Sequence, residues 1–139
     1  MIRTKTNSEL LNQIQYLDVL KFEKKEVVQE LDLLSREMNL IIEGMDTRYV
    51  YLRGNEWSIE FDFWDGKEPY YNIDMAVRGK KEPTAVLNRL KKDLKTRIVD
   101  MSTGTFWEED LKNGFSDWCK LNQRIESESI CFTNVDEGM

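Results

Sequence analysis

Strict alternation of apolar and polar residues marks the segment from Trp57 to Phe63 as a β-strand. In this run every odd position is apolar and every even position is polar, and Trp64 then breaks the alternation. A period of two residues is typical of a strand with one buried face. The residues expected to face inward are Trp57, Ile59, Phe61 and Phe63, and those expected to face outward are Ser58, Glu60, Asp62 and Trp64.

The preceding residues extend this strand into a meander over residues 40–77. The tetrapeptide Arg-Gly-Asn-Glu at 53–56 has the composition of a two-residue hairpin turn, with Gly54 at the position that needs a positive φ. This turn fixes the register of the two strands that it joins. The expected inward pairs are Leu52 with Trp57 and Val50 with Ile59, and Tyr49 and Tyr51 lie outside beside Ser58 and Glu60.

On the other side of the strand, the polar residues 65–69 predict a five-residue loop, which keeps Pro69 out of the sheet. A shorter turn would shift the register by one residue and turn the apolar side chains outward. The loop places Asp74 directly opposite Glu60, with Asp62 diagonal to it. Like charges in direct opposition destabilise a sheet, so we interpret this cluster as a functional feature. The expected inward pairs are Ile73 with Phe61 and Met75 with Ile59.

Outward positions of the meander combine carboxylates with large aromatic side chains. Tyr and Trp are enriched at interface hot spots, and carboxylates around them steer a basic partner toward the surface. We therefore predict a binding surface for a basic protein. The alternative is that the charges only discourage aggregation. The predicted partner-binding residues are Tyr49, Tyr51, Glu60, Asp62, Trp64, Tyr70 and Asp74.

Two amphipathic segments precede the meander. The tetrapeptide Thr-Asn-Ser-Glu at 6–9 has the form of a capping box, and the apolar residues after it predict a helix over 8–17. The pattern falters at residues 18–22 and then predicts a second helix over 23–38, with one continuous helix as the alternative. The predicted buried stripes are Leu10, Leu11, Ile14 and Leu17 in the first helix and Val27, Val28, Leu31, Leu34 and Met38 in the second.

A basic helix is predicted over residues 83–98, with Pro83 in its first turn. Residues 79–97 carry seven basic and two acidic side chains, whereas residues 40–77 carry three basic and eight acidic ones. Three interpretations of the basic side of this helix stay open: it is a second binding site, it is only solvated, or it lies near the acidic strands and neutralises their charge. Its predicted buried stripe is Val86, Leu87, Leu90, Leu94 and Ile98.

Another core helix is expected to begin near Trp107, after a turn at residues 102–104. Acidic residues at 108–110 suit the first turn of a helix, where the helix dipole favours negative charge. Residues 129–133 are a candidate short edge strand, and residues 134–139 are expected to fray. The predicted buried side of the helix is Trp107, Leu111, Phe115, Trp118 and Ile125.

Together these elements predict one α+β domain that spans residues 1–139. A mainly antiparallel sheet of about four strands carries its helices on one face. The expected order of the elements along the chain is α-α-β-β-β-β-α-α.

Histidine is absent from the 139 residues, which excludes Ser-His-Asp and Cys-His catalysis and removes the commonest transition-metal ligand. Cys119 and Cys131 are too few for a disulfide framework and are expected to be free thiols. No apolar leader follows Met1 and no apolar run approaches membrane-spanning length, so a cytoplasmic location is expected. The net charge of −6 disfavours non-specific binding of nucleic acid.

Two other functions are compatible with the predicted surface. Glu60, Asp62 and Asp74 offer oxygen ligands for Mg²⁺ or Mn²⁺, with Lys67 nearby in sequence, so a metal-dependent, nuclease-like enzyme is the main alternative. The aromatic side chains of the same surface offer stacking planes, which makes binding of a carbohydrate or another small ligand the second alternative.

The preferred interpretation is a small acidic binding protein without enzymatic activity or cofactor. Size, acidity and the lack of histidine suit an inhibitor that covers a basic active site. Bacterial toxin immunity proteins and phage-borne inhibitors of host defence have this physical character. The expected partner is therefore a basic protein, such as a toxin or a defence effector.

Overall fold

The computed structural model describes residues 1–5, 8, 10–15, 17, 19–64 and 69–107. In this part of the chain, two α-helices pack against one face of a four-stranded sheet, and two short two-stranded ribbons complete the fold. The helices are α1 (Lys24–Glu37) and α2 (Thr84–Asp93). The strands are β1 (Arg3–Thr4), β2 (Val19–Leu20), β3 (Ile41–Glu43), β4 (Tyr49–Gly54), β5 (Trp57–Asp62), β6 (Asp74–Gly79), β7 (Val99–Asp100) and β8 (Thr105–Phe106).

The main sheet is an antiparallel meander in the order β3-β4-β5-β6, as the alternation predicts. The centre of its inner face is buried under the two helices, because every second residue of the central strands is apolar, whereas Met75 and Val77 on β6 are only partly buried. An α+β fold with a four-stranded antiparallel sheet is therefore confirmed. The inner-face residues with no exposed surface are Val50, Leu52, Ile59 and Phe61.

Both described helices follow their predicted apolar stripes. In α1 the buried residues include Val27, Leu31 and Leu34, which recur every three or four positions on one side. The helix α2 is shorter than the predicted 83–98, because Lys95 adopts a φ of 50° and turns the chain out of the helix. Neither described helix has the length and apolar character of a membrane-spanning segment.

The predicted first helix, over residues 8–17, is wrong for the residues that the structure describes. Only a 3₁₀ turn forms there (Leu11–Gln13), and Leu10 and Leu17 are 55% and 77% exposed. The Ser8 hydroxyl lies 3.1 Å from the carbonyl oxygen of Leu10 and 2.7 Å from the Gln13 side chain, and such local bonds compete with helix formation.

This difference changes the order of elements. In the described residues, α1 precedes the four strands of the main sheet and α2 follows them, so the predicted order α-α-β-β-β-β-α-α is not observed. The alternative of one continuous helix over both N-terminal segments is also wrong, since β2 lies between them. The predicted helix after Trp107, the candidate strand at 129–133 and the frayed end at 134–139 lie outside the described residues.

The strand registers differ from the predicted ones by two residues, so each side chain stays on its predicted face. Gly54 pairs with Trp57, and Glu56 rather than Gly54 takes the positive φ of the turn, at 65°. A Cβ atom at Gly54 would lie 2.3 Å from the indole ring of Trp57, so this glycine makes room for packing. The observed inward pairs are Leu52 with Ile59, Val50 with Phe61, Phe61 with Met75 and Ile59 with Val77.

A second glycine, Gly79, lies on the other side of Trp57, in the same row of paired residues as Gly54. Gly79 lies opposite Trp57 on β6 and adopts a φ of 129°, which L side chains rarely reach. The backbone N–H groups of Lys80 and Lys81 both donate to the carbonyl of Glu56, at 2.9 and 3.3 Å. The end of β6 is thereby tied to the β4–β5 turn.

At the opposite end of β6, the N-terminal amine is buried. The amine of Met1 donates to the carbonyl of Ile73 over 2.7 Å, and burial lowers its pKa from 8.0 to about 6 although Asp74 raises it. Ile2 exchanges two backbone hydrogen bonds with Arg97, which holds the first residues between β6 and the segment after α2.

Stability is therefore expected to fall as the pH is lowered from 8 to 6 and to level off below 6. In this interval the unfolded chain binds a proton at Met1 that the folded protein does not, so acid favours unfolding by about 2 kcal/mol in total. Without histidine, no other side chain has an ordinary pKa in this interval. Urea unfolding at several pH values measures the slope. A chain with one residue added before Met1 is the control and should lose the slope, and a flat profile in the original chain would contradict the buried amine.

Candidate functional site

The sheet face that is turned away from α1 and α2, called the outer face below, carries most of the predicted binding residues. Its side chains are half-buried or exposed, and Tyr49 and Trp64 are 38% and 47% exposed. Three rows of side chains cross its strands. They are Tyr49, Asp62 and Asp74; Glu43, Tyr51, Glu60 and Ala76; and Ile41, Arg53, Ser58 and Arg78.

Four side chains at one end of the outer face form a compact group, here called the Arg48 cluster: Arg48, Tyr49, Asp62 and Trp64. The Arg48 guanidinium donates to both carboxylate oxygens of Asp62, at 2.8 Å from Nε and 3.1 Å from Nη2. Its central carbon lies 4.2 Å from the ring centroid of Trp64 and 4.9 Å from that of Tyr49. Bidentate pairing and cation–π contact together fix both exposed rings.

The β4–β5 hairpin positions this cluster. Tyr49 lies directly opposite Asp62, and the backbone N–H of Phe63 donates to the carbonyl of Arg48 over 2.8 Å. Strand pairing thus continues one residue beyond the two strands. Arg48 pairs with Phe63 in this extension and Trp64 follows Phe63 directly, which brings the cation and the indole together.

Arginines also meet the carboxylates in the middle of the outer face. Glu60 accepts a 2.7 Å hydrogen bond from the Tyr51 hydroxyl and lies 3.6 Å from the guanidinium of Arg78. The hydrogen bond to Glu60 raises the pKa of the Tyr51 phenol above its usual value. Next to them, Arg53 donates to Glu43 over 2.9 Å and lies over the Tyr51 ring. The outer face is therefore a mixed aromatic, acidic and arginine-rich surface rather than a purely acidic one.

Asp74 lies opposite Asp62, not opposite Glu60 as predicted, and Glu60 faces Ala76. The two-residue shift in register is the reason. The proposed metal ligands Glu60, Asp62 and Asp74 are consequently not gathered around one point, and the described residues contain no group of three His, Cys, Asp or Glu side chains arranged to hold a metal ion.

Tyr70, the remaining predicted binding residue, belongs to the core. It is 6% exposed, its ring meets that of Phe63 edge-on at 5.7 Å, and its hydroxyl donates to the carbonyl of Trp64 over 2.9 Å. Two reciprocal backbone hydrogen bonds with Phe22 hold it there: the N–H of each residue donates to the carbonyl of the other. Its placement in the exposed patch is therefore wrong, and its role is to support the backbone of Trp64 from below.

A shallow cleft of about 380 Å³ opens beside the Arg48 cluster. Trp64 forms one of its walls, and Tyr71, which is 44% exposed, lines it as well. The exposed carboxylate of Asp74 lies in the same cleft and accepts a hydrogen bond from the Asn72 amide over 3.3 Å. The cleft therefore combines aromatic surface with a carboxylate.

A larger groove of about 860 Å³ runs along the edge of β6 that carries no further strand of the main sheet. Apolar side chains such as Met75, Val77 and Ile98 line it. Trp107, the last described residue, stands in its wall, so the chain leaves the described region beside it. Of the residues singled out from the sequence as binding residues, Asp74 alone lines this groove.

The basic helix α2 does not cover the acidic strands. It packs on the inner face, where Val86, Leu87 and Leu90 enter the core. Its Arg89 pairs with Glu37 of α1 and with Asp93, so part of its charge is neutralised between the two helices. The carboxylates of the outer face are neutralised instead by three arginines on or beside the sheet strands, Arg48, Arg53 and Arg78.

Those arginines are the site residues that the sequence analysis missed. Arg53 and Arg78 stand at outward positions of their strands, so the alternation places them on the outer face. Arg48 lies before its strand, where alternation says nothing about side-chain direction. The available signal was the separation of 14 residues between Arg48 and Asp62, which a hairpin with a two-residue turn brings together.

Comparisons of the chain with protein-family models, with curated proteins and with solved structures find no match. The geometry of the outer face therefore carries the functional argument.

Proposed function

We propose that the protein is a non-enzymatic binding protein that recognises a protein partner through the outer face. In this proposal the partner is a basic protein, such as a toxin or a defence effector. The protein inhibits it in the manner of a toxin immunity protein or of a phage-borne inhibitor of host defence. The Arg48 cluster supports the proposal most directly. Its rings are 38% and 47% exposed, yet one arginine and one carboxylate hold them in a fixed arrangement.

Fixed exposed aromatics favour binding for a physical reason. A tyrosine or tryptophan that is already ordered loses little conformational entropy when a partner covers it, and it removes a large apolar area from water. Arginine, tyrosine and tryptophan are also the residues most enriched at interface hot spots. The outer face carries all three side by side, with Arg48 in contact with both rings of the cluster.

The net charge supports a basic partner over an acidic one. The chain carries −6, so its field attracts positively charged proteins at long range. Most of the charge on the outer face is balanced at short range by arginines, whereas Asp74 remains an exposed carboxylate at its edge. The contribution of charge is then mainly to the association rate, which should fall as salt is added.

Trp64→Ala is expected to weaken the complex with such a partner by about 2 kcal/mol or more, roughly 30-fold. Leu33→Ala is a matched control, because Leu33 is also 47% exposed but lies on α1. Four baits are used in affinity capture from the cells that encode the protein: the unchanged chain and the Trp64→Ala, Arg48→Ala and Leu33→Ala variants. A partner retained by the Leu33→Ala bait and lost by the other two variants is then titrated by calorimetry at two salt concentrations.

Two results would contradict the proposal. One is that every captured protein binds the outer-face variants as well as it binds the unchanged chain. The other is hydrolysis of DNA or RNA by the pure protein with Mg²⁺ or Mn²⁺ that disappears in Glu60→Gln, which would establish an enzyme.

Carbohydrate binding is a second candidate, because the cleft beside Trp64 places aromatic surface next to polar side chains. Trp64 and Tyr71 supply planes on which a sugar ring stacks, and Asn72 and Asp74 supply hydrogen-bonding groups. A glycan array probed with the full chain and with Trp64→Ala tests it. A bound glycan that depends on Trp64 would favour this function over protein recognition.

A further inference from the structure

The Arg48 cluster shows how this surface holds an arginine. One carboxylate, Asp62, receives the guanidinium in a bidentate arrangement, and the centroids of two aromatic rings lie 4.2 and 4.9 Å from its central carbon. Aromatic faces and a carboxylate are the complementary groups for a planar cation, since the ring quadrupole and the negative charge act together.

The adjoining cleft repeats these components around the same tryptophan. Trp64 lines the cleft as well as contacting Arg48, and 47% of it remains exposed. Tyr71 corresponds to Tyr49 as the second aromatic ring. Asp74 corresponds to Asp62, its direct neighbour across the strands. The cleft thus has an aromatic and acidic composition like that which binds Arg48.

Charge balance distinguishes the two carboxylates. Asp62 and Asp74 are in direct opposition, a placement that destabilises a sheet by a few tenths of a kcal/mol to about 1 unless a cation offsets it. Arg48 offsets Asp62. In the described part of the chain no lysine or arginine forms an ion pair with Asp74, which is exposed and accepts a hydrogen bond from the Asn72 amide. The Met1 amine is a cation that interacts with Asp74, but burial lowers its pKa to about 6, so it is mostly neutral at pH 7 and offsets Asp74 only in part.

We propose that the cleft formed by Trp64, Tyr71, Asn72 and Asp74 binds an arginine side chain of the partner protein. The guanidinium stacks on the aromatic walls and donates to the Asp74 carboxylate, as Arg48 does within the chain at Asp62. A volume of about 380 Å³ has room for one such side chain. This inference rests on the proposed function and names the residue type that the surface recognises.

A short arginine peptide tests the cleft without knowledge of the partner. The ¹⁵N-labelled full chain is titrated with acetyl-Gly-Arg-Gly-amide, and the indole N–H of Trp64 and the side-chain amide of Asn72 are followed by NMR. The matched peptides contain citrulline, which has the shape of arginine without its charge, or lysine. Saturable shifts are expected with the arginine peptide, and affinity for the citrulline and lysine peptides should be weaker, for citrulline on the order of tenfold.

Asp74→Asn should weaken the arginine peptide on the order of tenfold, because the charge-assisted bonds are lost while the shape of the cleft is kept. Asp32→Asn removes the same charge from α1 and should change nothing, since Asp32 pairs with Arg36 on the helix. Equal binding of the citrulline peptide, equal binding of the lysine peptide, indifference to Asp74→Asn or the absence of saturable shifts would each overturn the inference.

Failure here is distinguishable from failure of the proposed function. A captured protein that depends on Trp64 and Arg48 but binds Asp74→Asn normally would remove the arginine cleft and leave the outer face as the binding surface. Arginine-peptide binding in the cleft without any protein that depends on the outer face would do the reverse.

Discussion

Phe61→Ala is expected to lower the free energy of unfolding by about 3–5 kcal/mol. Phe61 lies in the central strand β5, has no exposed surface and faces Val50 and Met75 across the sheet. Its removal leaves a cavity between the sheet and the helices that the neighbouring side chains fill only in part. Urea unfolding followed by circular dichroism measures the change.

Trp64→Ala is the informative control for this experiment. It removes an even larger side chain, but one that is 47% exposed, so its expected cost in stability is about 1 kcal/mol or less. Losses of similar size in the two variants would show that the inner and outer faces are wrongly assigned. They would also undermine the use of Trp64→Ala as a binding variant.

Gly79→Ala is expected to cost about 3 kcal/mol or more. A Cβ atom there would lie 2.2 Å from the carbonyl oxygen of Glu56 and 2.7 Å from the Cα atom of Trp57, and the φ of 129° is itself unfavourable for alanine. These are backbone atoms of a hairpin and cannot move aside without breaking the row of strands. Thermal unfolding of the variant measures the loss.

Gly104→Ala gives the cost of a positive φ without a clash. Gly104 also has a positive φ, at 70°, but a Cβ atom there meets nothing within 4 Å. Its replacement should therefore cost only about 1 kcal/mol, the ordinary penalty of a positive φ for alanine. An equal loss at both glycines would contradict the close approach of β6 to the hairpin, because neither the clash nor the less accessible φ of Gly79 would then add a cost.

Side-chain faces in the sheet were predictable from sequence because alternation is a local property. Each side chain of β5 lies on its predicted face, since burial of one face leaves no freedom to shift by a single residue. A shift of the pairing register by two residues leaves every side chain on the same face, so the alternation cannot distinguish the two registers. The prediction consequently paired Glu60 with Asp74, whereas the structure pairs Asp62 with Asp74.

Packing against glycine decides the true register of the first hairpin. The prediction gave Gly54 to the turn, as its freedom in φ suggests, but the indole of Trp57 needs the space above it. The turn then moves on by one residue and Glu56 accepts the positive φ. A contact between two strands thus overrides a preference that is read from a single tetrapeptide.

The two wrong predictions, a helix over residues 8–17 and an exposed Tyr70, have a common cause. The amphipathic or aromatic character of a segment does not show whether other parts of the chain will cover it. Leu10 and Leu17 have helical spacing but are mostly exposed, and a short isolated helix is only marginally stable without tertiary contacts. Tyr70 was assigned to the patch by composition, yet its pairing with Phe22 turns it into the core. Both outcomes depend on contacts between distant parts of the chain.

The row of Gly54, Trp57 and Gly79 has a consequence for the evolution of this protein. A surface that follows a changing partner can exchange its aromatic and charged residues, provided that a cation such as Arg48 and its carboxylate change together. The glycine–tryptophan–glycine row cannot follow, because a Cβ atom at either glycine collides with the neighbouring strand. Distant descendants of the same ancestor should therefore still carry small residues on both sides of one bulky aromatic, at the hairpin spacing seen here, whatever the residues of the outer face become.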